Sequence, residues 1–170
     1  MFKSFAFVLL TFSSICLAGS GFEYGGLSLN SDPSTYKKRY PTSIVQGNSA
    51  WLSKADSHNG VHYIEKRSID GKQEIKISFE APEDQLDKKP TSWEEGHYAR
   101  HPKCEEILSQ LVKTYKQPIK ERPSVEERIN HRIRTWVNPQ ETMVLDCYNI
   151  DGQGEFLANE ITIRSRKVVP

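Results

Sequence analysis

Residues 61–80 read VHYIEKRSIDGKQEIKISFE, and this stretch decides the fold that the sequence predicts. Apolar residues occupy every second position from Ile75 to Phe79, which is typical of a β-strand with one buried face. The run from Val61 to Ile69 also favours a strand. Asp70-Gly71 stands between the two runs and is a tight-turn signal. The stretch therefore predicts an antiparallel hairpin.

A similar pattern recurs in the second half of the chain. Met143 to Ile150 predicts a strand with Met143, Leu145 and Cys147 on one face, and Ile150-Asp151-Gly152 repeats Ile69-Asp70-Gly71 at a distance of 81 residues. Asp151 to Gly154 predicts a turn, and Glu160 to Val169 predicts a last strand with Ile161 and Ile163 facing inward. Two copies at so long a period indicate a duplication, and coincidence among common turn signals is the alternative.

Each half also contains a predicted helix. Ser31-Asp32-Pro33 is a helix start, and the helix must end by Tyr40-Pro41. A second helix is predicted from Cys104 to Lys116, because its apolar residues recur at helical spacing before Pro118 ends it.

The sequence also predicts the structure of three further segments. Gly21 to Asn30 suits a loop or an edge strand, and Trp51-Leu52 belongs to another strand. Ser124 to Val137 predicts either a short helix running into a strand or one long strand ending at Trp136.

Together these elements predict an α+β protein of two similar halves, each a helix packed on an antiparallel meander, with one disulfide.

The predicted boundaries place the first half at 19–80 and the second half at 103–170. Residues 81–102 contain three prolines and many charges with little periodicity, so they predict a linker. An acidic docking surface is the alternative for this segment, since much of its charge is negative.

The order of these elements carries a family resemblance. Gly26-Leu27-Ser28-Leu29 stands before a short helix, and an antiparallel meander follows. Two copies of this arrangement in one chain resemble the tandem fold of the β-lactamase inhibitor proteins. A single copy is similar to the small outer-membrane assembly lipoproteins of the SmpA/OmlA type. The resemblance implies an architecture, and neither an inhibitor function nor binding residues are carried over from it.

Residues 1–18 predict a secretory signal peptide. Lys3 precedes an apolar core from Phe5 to Leu17, and Ala18 is a small residue at the expected cleavage site. A buried N-terminal helix is one alternative. Retention of Cys16 as a lipidated N-terminus is another, although Ile15 in front of it fits the lipoprotein pattern poorly.

Cleavage after Ala18 leaves Cys104 and Cys147. An even cysteine count in an exported chain predicts a disulfide between them. Cys104 lies on the apolar stripe of the second predicted helix, and Cys147 shares a strand face with Leu145. A free Cys104 nucleophile with a histidine partner is the alternative.

The balance of positive and negative residues limits the classes of partner that the chain is expected to bind. The chain has 23 Lys and Arg against 22 Asp and Glu, which argues against a general nucleic-acid binder. After residue 18, the sequence contains no apolar run long enough for a transmembrane helix. The basic residues between Lys113 and Arg134 indicate an ordinary charged surface, with binding of phosphate headgroups or of an acidic partner as the alternative.

The sequence contains no nucleophile elbow, phosphate loop or dinucleotide fingerprint, so it predicts no catalytic residue and no cofactor. His97 and His101 are four residues apart and are weak metal candidates, since Tyr98 stands where a zinc protease has its Glu. His58 and His62 flank an Asn-Gly turn and lack a third ligand.

We therefore expect an exported bacterial binding protein of the cell envelope or secreted space, with a protein or a small ligand as partner. Trp51, Trp93 and Trp136 are the candidate anchors if they are exposed, because aromatic residues dominate interface hot spots. One alternative is an envelope hydrolase using His97 and His101 with Glu94 or Glu95. The other is an envelope assembly factor held to a membrane through Cys16.

Overall fold

The computed structural model describes residues 21–52, 60–79, 102–126, 129–150 and 157–167. Within these ranges the chain has mixed helix and strand content, as expected for an α+β protein. The helices are α1 (Pro33–Arg39) and α2 (Pro102–Tyr115). The strands are β1 (Glu23–Tyr24), β2 (Leu27–Ser28), β3 (Ile44–Gln46), β4 (Ser49–Trp51), β5 (Val61–Ile69), β6 (Lys72–Phe79), β7 (Lys120–Glu126), β8 (Ile129–Val137), β9 (Glu141–Ile150) and β10 (Leu157–Ser165).

Eight of the strands form one antiparallel sheet in the order β3-β4-β5-β6-β10-β9-β8-β7. Each predicted half supplies four consecutive strands, and the last strands of the two groups meet at the centre. There β6 pairs with β10, so that Ile77 lies opposite Ile161 and Ile75 lies opposite Ile163. Both predicted halves therefore contribute to a single sheet.

The hairpin predicted from residues 61–80 is confirmed. Ile69 pairs with Lys72 across a two-residue turn, and Asp70 and Gly71 have φ angles of 51° and 72°. Positive φ at both central positions is what the type I′ turn requires, and it matches the right-handed twist of the strands. The Asp70-Gly71 sequence thus sets the register of β5 and β6.

The start of α1 is also confirmed. The Asp32 side chain caps the helix by accepting the N–H of Thr35 at 2.9 Å, and Pro33 follows in the first turn. The helix ends before Pro41, because the residue before a proline avoids the helical region.

The prediction for Ser124 to Val137 is wrong, because this stretch belongs to two strands. It contains the end of β7 and all of β8, which pair with Glu126 opposite Ile129. The strand β7 was missed because it lies at the sheet edge and carries Pro123 and several charges. An edge strand tolerates proline and charge, so it lacks the alternation that marks an inner strand.

The segment before α1 folds back as a small hairpin of β1 and β2. Gly25 and Gly26 turn the chain with φ angles of +59° and +79°, which side chains other than glycine rarely adopt. The hairpin is held to the main body by the N–H of Phe22, which donates to Glu141 at 2.5 Å, and by the hydroxyl of Tyr115, which donates to the carbonyl of Glu23.

Both helices pack on one face of the sheet and form the core with it. Ile107 and Leu111 of α2 and Tyr36 of α1 are fully buried in the same cluster as the central strands. The predicted disulfide between Cys104 and Cys147 is confirmed; it joins α2 to β9 with 6.1 Å between the Cα atoms.

Several predictions fall outside the described residues: the signal peptide at 1–18, nearly all of the linker at 81–102, and the turn at 151–154. In the part of the chain that the structure describes, neither helix is long and apolar enough to cross a membrane.

Candidate functional site

The candidate site is the sheet face opposite the helices, which we call the helix-free face. Successive residues of a strand point to opposite faces, so each strand contributes every second side chain to it. Among the described elements, none packs over this face. One cross-strand row crosses it from edge to edge through Ile44, Trp51, Tyr63, Ser78, Glu160, Asp146, Ile133 and Arg122.

One end of this row is an exposed apolar cluster, the β3–β5 patch, formed by Ile44, Trp51 and Tyr63. Ile44 is 71% exposed and Trp51 is 51% exposed. The rings of Trp51 and Tyr63 lie 4.2 Å apart between centroids, and the Tyr63 hydroxyl is 3.3 Å from the hydroxyl of Ser49. Adjacent large apolar side chains exposed on a sheet face are typical of an interaction surface.

The centre of the helix-free face contains a covered carboxylate. Glu74 is 1% exposed although it points away from the core, because Arg67 and Arg164 lie over it. The Nε atom of Arg67 donates to Oε1 at 2.8 Å, and the Nε atom of Arg164 donates to Oε2 at 2.6 Å. Burial alone would raise the pKa of Glu74, but the hydrogen bonds from the two guanidinium groups outweigh it and hold that pKa below its usual range.

Other charges of this face are paired as well. The Nζ atom of Lys76 lies 2.6 Å from Oε1 of Glu160, and His131 Nδ1 lies 2.9 Å from Oδ2 of Asp146. Burial first, and then the neighbouring Glu160 carboxylate, raise the pKa of Tyr148 to about 12. Tyr148 is therefore neutral at physiological pH, and its hydroxyl faces Glu160 at 3.4 Å.

The His131–Asp146 pair is the nearest approach to catalytic geometry on this face. Ser124 lies opposite His131 in the strand pairing, so the three residue types of a hydrolytic triad stand on adjacent strands. Among the described hydrogen bonds, none joins Ser124 to His131, and a triad needs that bond to activate the nucleophile. The described residues also contain no group of three side chains suited to hold a metal ion.

The predicted site residues have different outcomes. Trp51 is exposed on the helix-free face, whereas Trp136 is 2% exposed and lies in the core. Trp136 therefore does not meet the condition of exposure set for a surface anchor: it belongs to the buried core cluster, and its indole N–H donates to the carbonyl of Lys116 at 3.0 Å. Trp93, His97 and His101 lie outside the described residues.

Sequence reasoning missed Ile44, Tyr63 and Glu74. A signal for Ile44 was present, since Gly47-Asn48 between two short runs is a hairpin turn that places Ile44 opposite Trp51. No local signal marks Glu74, because Arg164 reaches it from 90 residues away.

Comparison of the chain with protein-family models, with curated proteins and with solved structures gives no match. The resemblance to the tandem inhibitor fold therefore stays a prediction.

Proposed function

We propose that this is an exported binding protein that docks a protein partner on its helix-free face. The observation that carries the proposal is the β3–β5 patch, in which Trp51 rests on Tyr63 beside the exposed Ile44. Trp and Tyr are enriched among the residues that supply most of the free energy of binding at interfaces.

The size of the face supports a protein as the partner. Eight strands at the usual spacing of about 4.8 Å give a surface about 34 Å wide. A standard interface buries about 800 Å² per partner, which a surface of this width accommodates.

The electrostatics of the face support recognition through apolar contacts. Lys76 pairs with Glu160. Arg67 and Arg164 share Glu74, and the Glu65 carboxylate lies 3.8 Å from Arg67 as a second partner. A partner that covers these residues need not supply opposite charges, and it avoids the cost of burying unpaired ones. In this arrangement the β3–β5 patch supplies most of the free energy of binding, and the paired charges form a polar rim around it.

Two isoleucines of the chain provide a matched experiment. The protein, tagged at Pro170, is purified from its native envelope or culture fluid, and the amount of co-purifying protein is compared among variants. Ile44→Ala and Trp51→Ala are expected to reduce partner recovery about tenfold or more. Ile119→Ala is the control, because Ile119 is 69% exposed but lies beside the opposite edge strand. Equal recovery from all variants refutes the proposed docking surface.

Export is the second part of the proposal, and the mass of the native protein tests it. A chain beginning at Gly19 supports cleavage of the signal peptide, whereas a chain that retains residues 1–18 refutes it. A lipidated chain beginning at Cys16 would instead support the membrane-held assembly factor. The hydrolase alternative predicts that His97→Ala or His101→Ala abolishes a turnover without loss of stability.

Duplication of an ancestral half-chain is the third part. Each half has one helix followed by four meander strands, and the sheet order is symmetric about the β6–β10 pair. The repeated Ile-Asp-Gly sequence at residues 69–71 and 150–152 supports the same origin. Production of residues 19–80 and 103–170 as separate chains tests it, because related halves are expected to reassociate through β6 and β10.

A further inference from the structure

The Cys104–Cys147 disulfide lies in surroundings that a purely structural disulfide does not need. Cys104 is the third residue of α2, so its sulfur lies in the first turn of a 14-residue helix. The unpaired N–H groups and the dipole at a helix N-terminus favour a negative charge there. A disulfide carries no charge, whereas a thiolate does.

A buried cation points at the two sulfurs. Arg134 is 1% exposed, and its Nη1 atom lies 3.3 Å from the Sγ atom of Cys104 and 4.0 Å from the Sγ atom of Cys147. Burial lowers the pKa of the Arg134 guanidinium, which shows that the charged group is held there at a cost in solvation. A neutral disulfide sulfur is only a weak hydrogen-bond acceptor, so it compensates little of the desolvation of Arg134.

The other charged groups around Arg134 compensate the solvation cost of its buried guanidinium only in part. Its Nη2 atom lies 3.5 Å from the Glu105 carboxylate on α2, and its Nε atom lies 3.4 Å from Glu121 on β7. Both carboxylates are about 42% exposed, so water screens them, and Glu121 also pairs with Arg132 at 2.7 Å. The Nη1 atom of the guanidinium therefore faces the two sulfur atoms and not the carboxylates.

A second buried polar group lies beside Cys147. Asn159 is opposite Cys147 in the pairing of β9 and β10, and it is 1% exposed. Neither its Oδ1 nor its Nδ2 atom has a hydrogen-bond partner within the described residues. A buried amide without partners is costly, and a thiol or thiolate at Cys147 would provide it with one.

We infer that Cys104–Cys147 is a redox-responsive bond, whose reduced form is stabilised by Arg134 as an ion pair with the Cys104 thiolate. A dithiol reductant supplies the two electrons: its own two thiols become a disulfide, and the protein bond opens to one thiol at Cys147 and one thiolate at Cys104, with release of one proton. The reduced chain loses the covalent link between α2 and β9. The partner surface on the other side of the sheet is not required for this step.

The equilibrium between the protein and a dithiol tests the inference. Purified protein is equilibrated with mixtures of reduced and oxidised dithiothreitol at pH 8, and free thiols are counted by alkylation and intact mass. Arg134→Met is expected to shift the equilibrium about tenfold towards the disulfide, which corresponds to about 30 mV for a two-electron couple. Arg122→Met is the control, because Arg122 lies on the helix-free face, away from the two sulfurs, and it is expected to change the equilibrium less than about twofold. Equal equilibria for the wild type and Arg134→Met overturn the inference.

A second experiment tests the inference without the Arg134→Met variant, and so does not depend on whether that variant folds. In a Cys147→Ser chain, the ultraviolet absorbance of the thiolate follows ionisation of Cys104 with pH, first in the folded protein and then in urea. We expect folded Cys104 to ionise at least about one pH unit lower than in the unfolded chain, because a guanidinium at 3.3 Å favours the thiolate. Ionisation at the same or a higher pH in the folded protein would overturn the inference.

Discussion

Replacement of Glu74 by Gln removes the charge at the centre of the helix-free face while keeping the shape of the side chain. Glu74 is 1% exposed and accepts hydrogen bonds from Arg67 and Arg164 at 2.8 and 2.6 Å. Removing one partner from a buried ion pair costs about 3–5 kcal/mol. Since Arg67 and Arg164 are 44% and 48% exposed, they regain water, so we expect Glu74→Gln to lower the free energy of unfolding by about 1–3 kcal/mol.

The same variant has a defined pH dependence. The pKa of Glu74 is lower in the folded protein than its ordinary value of 4.5, so the stabilisation is complete above pH 4.5 and is lost as the pH falls through the folded pKa. The difference between wild type and Glu74→Gln should therefore shrink below pH 4.5. Urea unfolding at several pH values measures it, with an unchanged slope against urea as the sign of intact two-state behaviour.

Glu160→Gln is the control for this experiment. Glu160 forms an ion pair with Lys76 but is 19% exposed, so we expect a loss below about 1 kcal/mol. If Glu74→Gln unfolds within about 0.5 kcal/mol of the wild type at every pH, the reasoning about the covered carboxylate is refuted.

Three other predictions concern the disulfide, the α1 cap and the apolar patch. Replacement of Cys104 and Cys147 by Ala should lower the free energy of unfolding by about 4 kcal/mol, since the bond closes a loop of 43 residues; a loss under about 1 kcal/mol in urea would contradict the loop-entropy argument. The hydrogen bond from the N–H of Thr35 is the largest cause that lowers the pKa of Asp32 from 3.8 to about 2. Asp32→Ala should therefore lower the Tm at pH 7, and the loss should shrink as the pH falls from 3.8 through about 2, where the folded cap becomes protonated. Trp51→Ala should change the free energy of unfolding by less than about 1 kcal/mol, because Trp51 is half exposed; a larger loss by thermal or urea unfolding would place Trp51 among the core residues.

The sequence predicted those parts of the fold that local rules determine. The β5–β6 hairpin follows from its alternation and from Asp70-Gly71, and the start of α1 follows from Asp32 and Pro33. The disulfide followed from the cysteine count and from the apolar stripe of α2. The signals for the hairpin and the helix start lie within a few residues of the features that they predict, whereas the disulfide joins residues 43 apart and follows from the cysteine count over the chain.

The parts that were missed depend on contacts between distant segments. The edge strand β7 is recognised only by its pairing with β8, and Trp136 is buried in a core cluster to which α2 also contributes. The burial of Glu74 depends on Arg164 of β10, which the register of β6 and β10 brings alongside. Exposure of a side chain is a tertiary property, so the sequence alone could not separate Trp51 from Trp136.

The central claim is that the helix-free face binds a protein partner, and position-resolved photo-crosslinking tests it most directly. A photoreactive phenylalanine is placed at Thr162 in the middle of the face, or at the exposed Ser109 on α2 as the control, and the protein is irradiated in its native envelope or culture fluid. The account predicts one discrete adduct from position 162 that disappears when Trp51→Ala is added, and no such adduct from position 109. An adduct from position 109 alone, or an adduct from position 162 that is unaffected by Trp51→Ala, would contradict it.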